Sequence, residues 1–243
     1  MSEEKPIAVE EHDVFAVIRI EGHAKRNAMN RAARQGLDAA LRQVAGRFRA
    51  VILTGSETSF CAGIDLKERR AEREAGNDTA VEEWQDVTVA IRRHPAIVIA
   101  AVNGLALGGG VTLISVCDLA LAADTAELGT PEMSFATYPG LAGPAVQLST
   151  TRKRAAWMIL TAERIDALTA ERRGLVNKVV PAASLMAEAE ALARLVARWD
   201  GVALAEAKRA LDVVPNAVGD WRQGFEFGAL VNARIAARRG EPG

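Results

Sequence analysis

An α/β fold is predicted by three observations. Short apolar runs that stop at turn residues recur through the first half of the chain, and most are followed by a stretch of helical periodicity. With 243 residues, 49% of them hydrophobic, the chain can bury a core without cross-links. The alternation implies strand–strand–helix turns stacked around one core with imperfect internal repetition; a doubly wound sheet is the alternative.

The elements follow in order. Residues 14–21 form an apolar run that ends before Gly22. Residues 31–45 carry Leu37, Leu41 and Val44 at i, i+4 and i+7, one face of a helix. Residues 50–54 give a second strand before Gly55. Residues 67–83 are polar almost throughout and read as a solvated helix and loop with i,i+4 ion pairs, mobile over a site entrance. A stripe of Trp84, Val87, Val89 and Ile91 marks a helix over residues 81–91. Residues 97–102 are a strand before Asn103-Gly104, and residues 119–123 one before Asp124. Beyond residue 152 the strand signal fades, apart from residues 176–180. Helices are predicted over 153–160, 185–199, 203–213 and 217–237, punctuated by Pro181 and Pro215. We divide the chain into a core over residues 1–190 and a helical region over 191–243. The Ala-, Leu- and Val-rich C-terminal helices have little sheet to cover, so part of their surface is expected to join copies of the chain.

Thirty basic and 31 acidic residues are interspersed, for a net charge of −1. That balance provides no basic field for nucleic acid. Cys61 and Cys117 stand in unrelated contexts without metal-ligand spacing, which fits free thiols in a reducing compartment. The N-terminal run Met1-Ser2-Glu3-Glu4-Lys5-Pro6 is polar, and no stretch of about 18 apolar residues suited to a membrane occurs. The expectation is a cytoplasmic protein with no metal and no membrane or nucleic-acid partner, whose partners are small molecules or its own copies. His12, His23 and His94 are expected at the surface or in loops rather than in catalysis.

Chemistry concentrates at glycines. Gly108-Gly109-Gly110 open an apolar helix directly after the strand and turn of residues 97–107. Helical glycines cost roughly 1 kcal/mol each relative to alanine. The gain is access: free backbone N–H groups at a helix start, at the positive end of its dipole, receive an anion. A second opening, Ser59-Phe60-Cys61-Ala62-Gly63-Ile64-Asp65-Leu66, follows the strand ending at Thr54-Gly55. Two such openings, around Ile64 and Gly109, can direct two donors at one oxygen. The phosphate-binding patterns Gly-x-x-x-x-Gly-Lys-Ser/Thr and Gly-x-Gly-x-x-Gly with a following acid do not fit.

These segments, with Lys25-Arg26-Asn27-Ala28-Met29, Cys117-Asp118, Pro131-Glu132 and Tyr138-Pro139-Gly140, resemble the crotonase superfamily, or enoyl-CoA hydratase/isomerase family, in order and approximate spacing. The resemblance covers the chain from about Ile7 to Ala210. It implies a spiral of ββα repeats with a C-terminal helical trimerisation region, and a homotrimer or dimer of trimers. It also implies an acyl-CoA thioester as substrate, coenzyme A being part of that substrate and no separate cofactor being required. Carried over by position, backbone N–H groups of Ile64 and Gly109 would hold the thioester oxygen, with Gly63, Asp65, Leu66 and Gly108 around them. Lys25, Arg26, Ala28 and the Ala62 backbone would line the coenzyme A nucleotide, and Lys208 would approach the coenzyme A phosphates, a solvated helix face being its alternative; Tyr138, before Pro139-Gly140, is placed to face the acyl pocket, with packing in the fold as its alternative. A proline common before Lys25 is replaced by Gly22-His23-Ala24, which implies rearranged nucleotide contacts.

The family's hydratases use two glutamates. Here the first position is Thr112 and the second Glu132. Threonine is no general base at neutral pH, whereas a positioned base contributes about 10²–10⁴-fold. One carboxylate suffices to move a double bond from the 3,4 to the 2,3 position, so the sequence favours isomerisation through a thioester enolate with Glu132 as base. Hydration with a water held between Thr112 and Glu132, other acyl-CoA chemistry such as decarboxylation or thioester hydrolysis, and acyl-CoA binding without turnover are the competing readings. As a helix residue, Thr112 has the alternative of bonding a carbonyl one turn back.

Overall fold

The computed structural model describes residues 6–240, so Met1–Lys5 of the polar N-terminal run lies outside it. Strands β1 (Ile7–Glu11) and β2 (Phe15–Ile20) form an antiparallel pair, and helix α1 (Arg31–Val44) follows, capped by the Asn30 side chain. One turn of the spiral comprises β3 (Ala50–Gly55), β4 (Ser59–Cys61), α2 (Leu66–Glu74) and α3 (Ala80–Arg93). The next is β5 (Ile97–Val102), β6 (Leu105–Leu107) and α4 (Gly109–Val116). A third has β7 (Leu119–Ala123), β8 (Glu127–Gly129), a 3₁₀ turn over Pro131–Phe135, α5 (Ala142–Ser149) and α6 (Arg152–Thr161). Then come β9 (Ile165–Asp166), α7 (Ala167–Arg173) and β10 (Lys178–Val180), and the chain ends in α8 (Leu185–Ala197), α9 (Gly201–Ala217) and α10 (Trp221–Arg239).

Each turn lays its long strand in one sheet and its short strand in another. The six-stranded sheet runs β1-β2-β3-β5-β7-β10 and the four-stranded one β4-β6-β8-β9. Apart from β1 and β9, the strands pair in parallel. From β2 to β10 the large sheet follows chain order in one direction, without the reversal that defines a doubly wound sheet. That excludes the alternative and gives the ββα spiral.

Both faces of the large sheet are covered, which is why its strands read as continuous apolar runs. On one face Ile18, Ile20, Leu53, Val98 and Val102 pack with Leu37, Leu41 and Val44 of α1 and Trp84 of α3. On the other, Phe15, Val17, Ile52 and Ile99 meet Leu185, Ala189, Ala193 and Val196 of α8. So α8 does cover sheet. By contrast, α10 buries none of its residues and packs against α9. Trp221, Phe225 and Leu211 stay exposed there. No helix of the described residues is long and apolar enough to cross a membrane.

Three expectations need correction. The polar stretch 67–83 is not uniformly solvated: Glu72 is buried, pairing with Arg31 Nε at 3.1 Å and Arg34 at 3.5 Å. Arg34, fully buried, also donates to Glu83 at 2.8 Å and to the Met29 carbonyl at 3.1 Å. Compensated in this way, charges that look like a wet helix face instead tie α2 and α3 to α1. His94 lies in the loop from α3 to β5, as expected, but is buried there rather than at the surface: Nε2 contacts the Leu41 carbonyl at 3.1 Å and Nδ1 accepts the Ala96 N–H at 3.1 Å. Finally, α9 runs through Pro215, two residues before its end, rather than stopping at residue 213.

Candidate active site

The chain leaves β4 through Ala62-Gly63-Ile64 and enters α2 at Asp65, whose carboxylate caps the helix by accepting from the Lys67 and Glu68 N–H groups. Ile64 sits opposite Met29 in a parallel bridge: the Met29 N–H donates to Gly63 O at 2.7 Å and the Asp65 N–H to Met29 O at 3.2 Å. The Gly63 N–H donates to Cys61 Sγ at 3.4 Å. This pattern uses the amides on both sides of Ile64 and leaves its own N–H without an acceptor among the described residues.

Gly109 is the first residue of α4, so its N–H has no partner in its own helix and none elsewhere in the described residues. The two openings abut. Gly63 has φ +88°, and a Cβ there would lie 2.9 Å from Leu107 O and 3.1 Å from Gly109 N. A side chain would both strain that backbone and obstruct the meeting point.

Both amides belong to the wall of one cavity of ≈ 500 Å³. Gly63, Ile64, Gly108, Gly109 and Glu132 contribute to it, with Leu66, Phe135, Tyr138 and Leu141 adding apolar surface. Glu132 reaches it from the 3₁₀ turn after β8. Its Oε1 lies only 2.7 Å from the place a Cβ on Gly108 would take, and Gly108 has φ +50°. Oε2 is buried without a partner among the described residues. Burial pushes the Glu132 carboxyl above its ordinary value, its own backbone N–H pulling the other way. A carboxyl so placed is suited to taking up and returning a proton. By contrast, burial pushes the Cys61 thiol up to about 12, so it supplies no thiolate at neutral pH.

Thr112 takes the helix alternative rather than a place in the cavity wall. It is buried one turn into α4, with its hydroxyl 3.5 Å from the Gly108 carbonyl, and does not line the cavity. Its short side chain turns back on its own helix, as helical threonines do.

Beside the cavity, residues 22–27 form a tight turn in which Arg26 and Asn27 adopt φ of +54° and +57°. Asn27 Nδ2 donates to Ser59 O at 2.6 Å and Ser56 O at 3.1 Å, pinning this turn to the β3–β4 corner. The Ala62 N–H donates to Arg26 O at 3.1 Å. Lys25 pairs with Asp65, and that bond raises the lysine's pKa. Burial opposes ionisation of Asp65, yet Lys25 and the capping N–H groups hold its carboxyl below its usual value. Of these residues Ala62 lines the cavity; Lys25 and Arg26 adjoin it through these bonds, and the Ala28 N–H donates to Lys25 O at 3.2 Å within the same turn. Tyr138 lies half-exposed in the wall, its hydroxyl accepting from Gln147 at 2.8 Å.

Lys208 is far from this role. It is buried, with Nζ 2.7 Å from Asp118 Oδ2 and donating to the carbonyls of Ile91 at 2.9 Å and Ala96 at 3.2 Å. Three bonds satisfy the ammonium's three donors, and no phosphate contact remains to it. Sequence reasoning passed over Arg69, Arg73, Val81 and Gln85, which also line the cavity. Their signal was helical spacing: Leu66, Arg69 and Arg73 fall at i, i+3 and i+7.

A sequence profile described as "Enoyl-CoA hydratase/isomerase" matches residues 10–217. A probable mitochondrial enoyl-CoA hydratase of Dictyostelium discoideum is 39% identical over 166 residues, 67% of this chain. A probable enoyl-CoA hydratase of Mycobacterium tuberculosis is 40% identical over the same share. The chain spans 58% of the length of the first and 63% of the second. The crystal structure of an enoyl-CoA hydratase from Bacillus anthracis superposes with a TM-score of 0.88 at 32% identity, covering 96% of this chain and 91% of that one.

Proposed function

Because the chain belongs to the enoyl-CoA hydratase/isomerase family, we propose that the cavity receives the acyl end of an acyl-CoA thioester and that Glu132 moves its double bond from the 3,4 to the 2,3 position. The observation that carries this reading is the Glu132 carboxyl, its Oε2 buried, in one cavity wall with two backbone donors that have no acceptor among the described residues. Glu132 takes a proton from C2, and the electrons pass onto the thioester oxygen as a dienolate. The Ile64 and Gly109 N–H groups hold that oxygen, each worth about 2.7–4 kcal/mol where charge develops. Glu132, now protonated, returns the proton to C4. The segment from Lys25 to Ala28 and the Ala62 backbone take the nucleotide end, and coenzyme A enters as part of the substrate. Copies of the chain assemble as a trimer or dimer of trimers through the exposed apolar side chains of α9 and α10, which light scattering measures.

A second reading is hydration, favoured by the names of the relatives, which are called hydratases. It calls for a second proton-handling group, and the hydroxyl of Thr112 faces its own helix. Supplying a 3-enoyl-CoA and a 2-enoyl-CoA separately and following the conjugated thioester's absorbance separates the two. Appearance of conjugation from the first supports isomerisation. Faster loss of conjugation from the second overturns it in favour of hydration, and binding of both without product leaves acyl-CoA binding alone.

A further inference from the structure

The cavity wall changes character along α2. Next to the oxyanion donors it is Leu66, whereas three and seven residues further it is Arg69 and Arg73, with Val81 and Gln85, one turn apart on α3, in the same wall. From Leu66 to Arg73 the helix advances about 10 Å. One anion faces the two guanidinia: Asp78 Oδ2 accepts from Arg69 Nε at 3.2 Å and from Arg73 Nε at 2.8 Å. The terminal Nη groups of both arginines have no acceptor among the described residues. Two cations against one carboxylate leave a net positive charge, and the free guanidinium edges match a planar carboxylate. An alkyl chain laid against these edges would strip water from donors and return nothing.

We infer that the acyl group this site accepts carries a carboxylate at its distal end, held by Arg69 and Arg73. This rests on the reading of the cavity as an acyl-CoA site and names the class of acyl group. Arg69, whose side chain is 21% exposed, makes the stronger contact; Arg73, at 61%, the weaker.

The test uses enoyl-CoA thioesters of matched length ending in a methyl group or in a carboxylate, together with free coenzyme A. Dissociation constants come from calorimetry, and kcat/KM values from the absorbance assay. Wild type favours the carboxylate-ended thioester. Arg69→Met lowers that preference about tenfold, Arg69→Lys lowers it less, and Asp78→Asn, which keeps an oxygen for the Ala80 N–H that Asp78 Oδ1 accepts at 3.0 Å but removes the competing anion, raises it. Equal binding of the two thioesters by wild type overturns the inference while leaving the acyl-CoA reading intact. So does a loss of affinity for free coenzyme A in Arg69→Met as large as the loss for the carboxylate-ended thioester, which assigns the arginines to a coenzyme A phosphate. Failure of the methyl-ended thioester and of coenzyme A to bind is the distinct failure of the acyl-CoA reading itself, and the inference falls with it.

Discussion

Replacing Glu132 with Gln separates a catalytic carboxylate from a structural one, because the two assignments predict opposite stability changes. In the fold Glu132 has a buried Oε2 with no partner among the described residues, and burial raises its pKa. A carboxylate with a raised folded pKa is destabilised as an anion: the unfolded chain ionises first, near 4.5, so the cost grows with pH and is complete above the folded value. Glutamine keeps the shape and removes the charge. An unsatisfied buried polar group costs about 1–3 kcal/mol, more when charged, and the amide leaves part of that penalty in place, so a net gain of about 1 kcal/mol is expected. That corresponds to about 2–4 °C in Tm for a domain of this size. Loss of the base lowers turnover by about 10²–10⁴-fold. Thermal unfolding at pH 7 and the 3-enoyl-CoA assay are run on the same preparations. The Tm advantage shrinks as pH falls through the folded pKa toward 4.5. A variant that is less stable at pH 7, or that keeps more than a tenth of wild-type turnover, refutes the assignment.

Other perturbations probe the frame around that carboxyl. In Gly108→Ala the new Cβ lands 2.7 Å from Glu132 Oε1 on a backbone at φ +50°, ψ −110°, so the carboxyl must swing away; kcat drops at least tenfold, with a loss of about 1–3 kcal/mol in stability. Urea unfolding of Lys208→Met shows a loss of about 3–5 kcal/mol, since Asp118 is left buried and unpaired, and Lys208→Met with Asp118→Asn recovers part of it; a loss below 1 kcal/mol for the single variant contradicts the structural role. His94 gives an acid-side dependence. Burial lowers its pKa from 6.5, and its neutral ring serves the Leu41 carbonyl and the Ala96 N–H. Its contribution is therefore complete above pH 6.5 and is lost as pH falls from there through the folded value. His94→Gln flattens the stability profile below pH 6.5, and an unchanged profile excludes His94 as its source.

Much of the fold was legible because burial on both faces leaves a local mark. The long strands β2, β3, β5 and β7 stand within a residue of the apolar runs, and α1 and α8 begin where their periodicity begins. The strands of the second sheet were not legible. At two or three residues, β4, β6, β8 and β9 are too short for alternation to register, and they exist because the neighbouring turn of the spiral supplies partners. Lys208 and Thr112 show the same limit in side chains. A lysine on a helix carries no sequence mark of the Asp118 that neutralises it 90 residues away, and a threonine in place of a glutamate does not show which way its hydroxyl turns.

The glycines and arginines of the cavity mark two different limits. Gly63 and Gly108 were visible because backbone approach demands a residue without a Cβ, and that demand can be met by only one residue type. Arg69 and Arg73 occur in a charged run that any solvated helix would tolerate, and the ion pairs within that run obscure the fact that the pairing is incomplete. Only when α2 is placed on the cavity does the surplus show: Asp78 takes the Nε groups of both arginines that line it, and no acceptor among the described residues takes their Nη groups. In a chain whose charges balance to −1 overall, selectivity for an anionic acyl group is therefore a matter of where one unmatched cation is held, and composition carries no trace of it.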